Sequence, residues 1–135
     1  MTATPILYDP DCGFCRVCVA LLLRWDRDGR LRPVPLGGPE ANELLGEMPD
    51  AERMASWHLV RADGSVRSAG RAFPDLFGML PAGAPLARLT GLFPRASERG
   101  YRWVADQRTT LGRPIPDAAR RWADRVISES RADNR

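Results

Sequence analysis

The sequence has 135 residues, a length that fits a single domain. Hydrophobic residues make up 44% and charged residues 27% of it, a composition that is typical of globular proteins and excludes a disordered chain. The formal net charge is +3, and the 20 basic residues, all arginine, are spread among 17 acidic residues, which argues against nucleic-acid binding.

The N-terminus and the cysteine pattern indicate a cytoplasmic protein. Residues 1–8 lack the basic start of a signal peptide. The longest apolar stretch, residues 17–23, is much shorter than the span of about 20 residues that crosses a membrane. All three cysteines lie within residues 12–18 and do not resemble the disulfide framework of a secreted domain. We therefore expect a cytoplasmic location and no membrane span.

The first half of the sequence predicts alternating strands and helices. Apolar periodicity and turn residues give them in this order: a strand at 5–8, a helix at 12–27, a strand at 31–36 and short helices at 39–47 and 51–55. The Asp9-Pro10-Asp11 sequence is a turn signal between the first strand and the first helix. Pro33 and Pro35 predict that the second strand lies near an edge of the sheet.

The second half predicts a hairpin followed by helices. Residues 57–61 and 66–68 flank an Asp63-Gly64 step, which is a strong hairpin signal. Helical spacing then recurs at 71–80, 86–93, 97–109 and 117–127. The order β-α-β-α-β-β-α predicts an α/β protein with a thioredoxin-like fold: a three-layer sandwich of a mixed four-stranded sheet flanked by helices, with extra C-terminal helices. We divide the chain into a thioredoxin-like domain at 1–112 and an amphipathic C-terminal helix with a frayed tail at 113–135.

Cys12 and Cys15 form a Cys-x-x-Cys pair where the first helix begins. The three-residue spacing puts both side chains on one face of the first turn. The free N–H groups and the helix dipole favour negative charge on the first sulfur. This context predicts Cys12 as an exposed nucleophile and Cys15 as the resolving thiol.

The other polar residues near this pair receive lesser roles. Cys18 continues the spacing, but the sequence has no fourth cysteine and a single histidine, His58, so we predict no metal site and interpret Cys18 as core filler. We expect Asp11 to cap the helix and Asp9 to have an acid/base or structural role. His58 is interpreted as a structural histidine. Three tryptophans are expected in the core or lining a groove: Trp57, Trp103 and Trp122.

The segment Tyr8-Asp9-Pro10-Asp11-Cys12-Gly13-Phe14-Cys15 resembles the signature of the DCC family of predicted thiol–disulfide oxidoreductases, in which an Asp precedes the Cys-x-x-Cys pair. Later blocks are also similar: Trp57-His58-Leu59-Val60 with Asp63-Gly64, Gly70-Arg71-Ala72-Phe73, and Tyr101-Arg102-Trp103-Val104-Ala105 with Arg108. The resemblance covers about residues 5–112. It implies a thioredoxin-like fold, Cys12 and Cys15 as the redox pair, and Asp9 and Asp11 as the motif acids.

The sequence departs from this resemblance at two places. Pro10 stands where Gly is common in the family. Thioredoxins keep a cis-proline before the strand that starts here near Trp57, and it contacts the substrate backbone, whereas this sequence has Ser56-Trp57. Recognition of a peptide substrate in the manner of thioredoxin is therefore not expected.

Three functional hypotheses follow. The first is an enzyme that exchanges thiols with a disulfide-containing protein or a small-molecule disulfide and is recycled by a thiol reductant, with no cofactor. The second takes Asp9-Pro10-Asp11 as an Asp-x-Asp phosphotransfer site of the haloacid-dehalogenase type, which needs Mg²⁺ and a later acidic pair. The third is a non-catalytic redox-sensing domain.

Overall fold

The computed structural model describes residues 3–133. Its elements follow the chain in this order: β1 (Thr4–Tyr8), α1 (Gly13–Trp25), β2 (Leu31–Pro35), α2 (Pro39–Leu45), α3 (Asp50–Ala55), β3 (His58–Val60), β4 (Val66–Ser68), a 3₁₀ turn (Ala69–Ala72), α4 (Phe73–Met79), α5 (Ala84–Leu92), α6 (Pro94–Asp106), α7 (Arg108–Gly112) and α8 (Asp117–Asp133).

The four strands form one mixed sheet in the order β2-β1-β3-β4. β1 and β2 are parallel, with Leu7 opposite Val34, and β3 is antiparallel to both β1 and β4. β2 lies at an edge of the sheet, which confirms the prediction made from its prolines. Proline has no backbone N–H, and an edge strand tolerates it because one side of the strand makes no hydrogen bonds to a neighbour. This sheet order and the flanking helices confirm the thioredoxin-like sandwich.

Alternation along the strands gives the sheet two apolar faces. On one face, Ile6 and Leu59 pack with Leu76 of α4 and with apolar residues of α1. On the other face, Leu7 and Val34 pack with the buried residues of α2. The helix that carries the cysteine pair therefore lies on the same face of the sheet as α4.

The C-terminal helix packs against α1 and extends the core. Ala123 and Val126 of α8 contact Ala20, and Ile127 packs with Tyr8. The sequence predicted that this helix ends near Ile127 and that a frayed tail follows, which is wrong for residues 128–133. No glycine or proline interrupts that segment, so the helix continues. The expectation of a frayed end at residues 134–135 lies outside the described residues.

Helix α6 reaches the sheet through a close contact with the 3₁₀ turn. The sequence predicted one helix over 97–109, whereas the chain forms α6 from Pro94 and then the short α7. Gly70 is buried, and a Cβ atom at this position would lie 2.7 Å from the Cα atom of Glu98. Only glycine permits this approach without a backbone shift. The contact fixes α6 against the 3₁₀ turn that follows β4.

Candidate active site

Cys12 occupies the N-cap position of α1, with an extended backbone. Its Sγ atom accepts a hydrogen bond from the backbone N–H of Cys15 at 3.3 Å. The prediction that Asp11 caps this helix is therefore wrong. Asp11 is exposed, and its N–H donates to Oδ1 of Asp9 at 3.0 Å in an Asx turn. Because of this turn, the N-cap residue is Cys12, one residue after Asp11. The cysteine sulfur thus takes the place at which the helix N-terminus favours negative charge.

Cys15 lies in the first turn of α1, close enough to Cys12 for that side chain to affect its pKa. Both cysteines are half-buried and free, so the structure shows the reduced pair. Burial, followed by the hydrogen bond and the charge of Cys12, raises the pKa of Cys15 to about 12. Cys15 is therefore a neutral thiol near pH 7, and it needs a proton acceptor before it can attack.

Cys18 follows Cys15 by one helical turn and lines an open cleft. It is half-buried and is not the core filler that the sequence predicted. Burial, with a smaller effect of Cys12, raises its pKa to about 11. Among residues 3–133, no three His, Cys, Asp or Glu side chains are grouped so that they could hold a metal ion.

Charged groups surround the start of α1. The Asp9 side chain is mostly buried, and its Oδ2 atom lies 4.0 Å from Nη1 of Arg108. Arg120 of α8 donates from Nη2 to the carbonyl of Gly112 at 3.0 Å. A Cβ atom at Gly13 would lie 3.1 Å from Nε of Arg120, so this glycine lets the guanidinium lie against the first turn of α1.

Sequence reasoning did not identify these two arginines as site residues. Arg108 was part of a resembling block, with no role attached. Arg120 is one of 20 arginines, and no local pattern distinguishes it. Its position depends on the packing of α8 on α1, which brings a distant part of the chain to the cysteine pair.

A cleft of about 380 Å³ opens beside the cysteine pair, between α1, α4 and α6. Its lining is almost entirely apolar and rich in aromatic rings: Ile6, Tyr8, Asp9, Phe14, Cys15, Cys18, Val19, Leu21, Leu22, Trp25, Ser56, Trp57, Phe73, Leu76, Phe77, Tyr101, Val104, Ala105 and Arg108. The Phe73 ring contacts two of the other rings, with centroid distances of 5.9 Å to Trp57 and 6.1 Å to Tyr101.

The three tryptophans singled out by the sequence have different positions. Trp57 lines this cleft, as expected for a groove residue. Trp122 packs against the contact between α1 and α8, as expected for a core residue. Trp103 is 64% exposed, so the expectation of a core or groove position is wrong for it. It faces solvent because the cleft side of α6 is formed by Tyr101, Val104 and Ala105.

The backbone of Trp57 is fully hydrogen-bonded at the edge of this cleft. Its N–H donates to the hydroxyl of Tyr101 at 3.3 Å. Its carbonyl accepts from the N–H of Ala69 at 3.3 Å and from Oγ of Ser56 at 3.2 Å. All peptide bonds within residues 3–133 are trans. The Trp57 backbone therefore offers no free group for pairing with a substrate peptide.

His58 has the structural role that the sequence predicted. It is 1% exposed. Its Nε2 donates to the carbonyl of Arg53 at 2.9 Å, and Nδ1 accepts from the hydroxyl of Ser68 at 2.6 Å, a tautomer that follows from the carbonyl being only an acceptor. Burial lowers its pKa below the ordinary value. The histidine is thus a neutral link between α3 and β4.

The alternative of an Asp-x-Asp phosphotransfer site gains no support from this arrangement. Asp11 points to solvent and Asp9 pairs with Arg108. At the edge of the sheet where β1 ends, parallel β2 is followed by Leu36-Gly37-Gly38 and antiparallel β3 is preceded by Ser56-Trp57, so neither strand supplies a second acidic pair there.

A thioredoxin-like sheet and a Cys-x-x-Cys pair at the start of α1 define a dithiol protein of the thioredoxin-like class. The family model for DCC1-like thiol-disulfide oxidoreductase matches residues 6–114, which is most of the chain. The chain belongs to this family, and its membership supports a thiol–disulfide redox function. Comparisons with curated proteins and with solved structures found no match. Helix α8, which supplies Arg120, follows the matched segment.

Within residues 3–133, the helices are too short or too polar to cross a bilayer.

Proposed function

We propose that this protein is an enzyme that reduces or exchanges disulfides through Cys12 and Cys15. The observation that carries the proposal is the position of the Cys12 sulfur. It caps α1 and accepts, at 3.3 Å, the backbone N–H of Cys15, the residue whose thiol would resolve it. A nucleophilic sulfur with a second thiol within reach is what two-step exchange requires.

In the first step, the thiolate of Cys12 attacks a substrate disulfide. A bond forms between the Cys12 sulfur and one substrate sulfur, and the substrate disulfide breaks. The second substrate sulfur leaves as a thiolate and takes a proton from solvent. The backbone N–H of Cys15, at the start of α1, donates to this sulfur at 3.3 Å and holds it in position for the attack.

In the second step, Cys15 attacks the Cys12 sulfur of the mixed disulfide. The Cys15 thiol must first lose its proton, and the Asp9 carboxylate lies close enough to affect its charge. We assign Asp9 as the proton acceptor and Arg108 as the residue that positions it. Asp11 is exposed and receives no chemical role.

The substrate sulfur that was bonded to Cys12 then leaves as the other substrate thiol, so the products of the cycle are two substrate thiols and a Cys12–Cys15 disulfide. Two electrons pass from the protein dithiol to the substrate. A thiol reductant then restores the pair by the reverse exchange. We expect this cycle in the cytoplasm, where small thiols keep cysteines reduced. The substrate is a protein disulfide or a small-molecule disulfide.

The test is turnover of bis(2-hydroxyethyl) disulfide with a thiol reductant supplied in excess. We expect many turnovers per chain for the wild type, none for Cys12→Ser, and accumulation of a mixed disulfide for Cys15→Ser, detected by mass spectrometry. Cys18→Ser is the matched control and must still form the Cys12–Cys15 bridge. Full turnover by Cys12→Ser would contradict the proposal. A wild type that is oxidised and reduced once, without turnover, would be a redox sensor instead.

A further inference from the structure

The cleft beside the cysteine pair has the dimensions of a small-molecule site. Its volume of about 380 Å³ lies within the range of about 300–1,000 Å³ that such sites occupy. Cys15 forms part of the wall, so a molecule in the cleft lies next to the dithiol.

The cleft is elongated along α1 and differs between its two ends. Wall residues extend from Cys15 to Trp25, ten residues of helix or about 15 Å. At the Trp25 end, the indole N–H is already donated to the carbonyl of Pro81 at 2.7 Å, and the walls are apolar. The charged lining residues, Asp9 and Arg108, are at the cysteine end. The shape fits an extended apolar group with its polar end at the dithiol.

The charges at the cysteine end favour an anion. Within residues 3–133, the only ion pair of Arg108 is its 4.0 Å contact with Asp9, although a guanidinium has five N–H donors. A guanidinium with spare donors at the end of an apolar cleft is suited to binding a carboxylate.

A polypeptide fits this cleft less well than a small molecule. Binding an extended peptide requires free backbone N–H and C=O groups at the edge of the site. Both backbone groups of Trp57 are already used, by Tyr101, Ala69 and Ser56. The cleft thus offers apolar contact without a backbone edge.

We propose that the cleft binds a small-molecule disulfide with one long apolar arm and one anionic arm. The apolar arm lies along α1 toward Trp25, and the anionic arm faces Arg108. This inference rests on the proposed function and names its substrate class. Cys12 attacks the disulfide and Cys15 closes the protein disulfide, so both arms leave as free thiols and two electrons pass to the substrate.

The test uses mixed disulfides of 3-mercaptopropionate with alkanethiols from ethyl to octyl. These compounds share one anionic arm and nearly the same intrinsic reactivity, which the rate with dithiothreitol measures for each. Each methylene that becomes buried is worth up to about a fourfold gain in affinity. We expect kcat/KM, after correction for the dithiothreitol rate, to rise by at least about 30-fold from ethyl to octyl. In a matched series, a neutral amide replaces the carboxylate of each compound. We expect kcat/KM for each amide to be several-fold lower than for the carboxylate of the same alkyl length, and we expect Arg108→Gln to remove this difference.

Two variants of α6 provide the structural control. Ala105 lines the cleft, so Ala105→Trp fills it and brings the octyl-to-ethyl ratio close to 1. Ala96 is on the same helix but exposed and outside the cleft, so Ala96→Trp keeps the wild-type ratio. The wild-type series decides the matter even if Ala105→Trp does not fold.

The outcomes separate this inference from the proposed function. A flat series with turnover overturns the inference and leaves the dithiol function in place. Faster reduction of a peptide disulfide than of the octyl compound also overturns it and assigns the cleft to polypeptides. Absence of turnover with every disulfide overturns both proposals.

Discussion

The reactivity of the cysteines offers a quantitative test of the site. An ordinary thiol with a pKa of 9.0 is about 3% thiolate at about pH 7.5, whereas Cys15, with its pKa raised to about 12, is about 0.003% thiolate. Because only the thiolate reacts, the smaller thiolate fraction of Cys15 would by itself make its alkylation about 1,000-fold slower than that of an ordinary thiol. The greater nucleophilicity of a more basic thiolate recovers about 15- to 30-fold, which leaves Cys15 about 30- to 60-fold slower than an ordinary thiol.

The perturbation is Cys12→Ala. Two of the causes that raise the pKa of Cys15, the hydrogen bond and the charge of Cys12, disappear, while burial remains. Cys15 therefore reacts faster with iodoacetamide in the variant than in the wild type. Mass spectrometry of briefly labelled protein gives the rate at each cysteine. Wild-type protein labelled first at Cys15, or a variant in which Cys15 slows, would refute this reasoning.

Three further variants test other parts of the account. Gly70→Ala forces a Cβ against the backbone of Glu98 and lowers the free energy of unfolding by about 1–3 kcal/mol in urea denaturation; no change would contradict the close contact. His58→Leu flattens the acid side of the stability profile. Burial lowers the pKa of His58, so the neutral side chain stabilises the fold above the ordinary pKa of 6.5, and this stabilisation is lost as the pH falls below that value. A melting temperature that falls as steeply in His58→Leu as in the wild type between about pH 7.5 and 5 would contradict this. Asp9→Asn slows resolution of the mixed disulfide about 100-fold in stopped-flow measurements if the carboxylate accepts the Cys15 proton. Because the charge of Asp9 raises the pKa of Cys15, faster resolution would instead show a purely electrostatic role.

The fold and the cysteine pair were accessible from the sequence because their signals are local. The strand before Asp9, the turn and the helix that starts at the pair form one continuous segment. Prolines in the second strand and the Asp63-Gly64 step each predicted a position in the sheet. Such signals depend on neighbouring residues and therefore survive in a single sequence.

The surroundings of the dithiol could not be predicted from the sequence, because they arise from tertiary packing. The cleft combines side chains of α1 with Trp57, Phe73 and Tyr101, which are more than 30 residues away in the chain. Arg120 reaches Gly13 only because α8 packs on α1. Asp11 was assigned the cap because its residue type favours that position, but the turn at Asp9 moves the cap by one residue.

The state of the two sulfurs after oxidation tests the central claim most directly. Peptide mapping of the protein equilibrated in glutathione redox buffers reports which cysteines are joined. We predict a reversible Cys12–Cys15 bridge with Cys18 left as a free thiol. Three free thiols in every buffer, or a bridge between Cys15 and Cys18, would contradict the account.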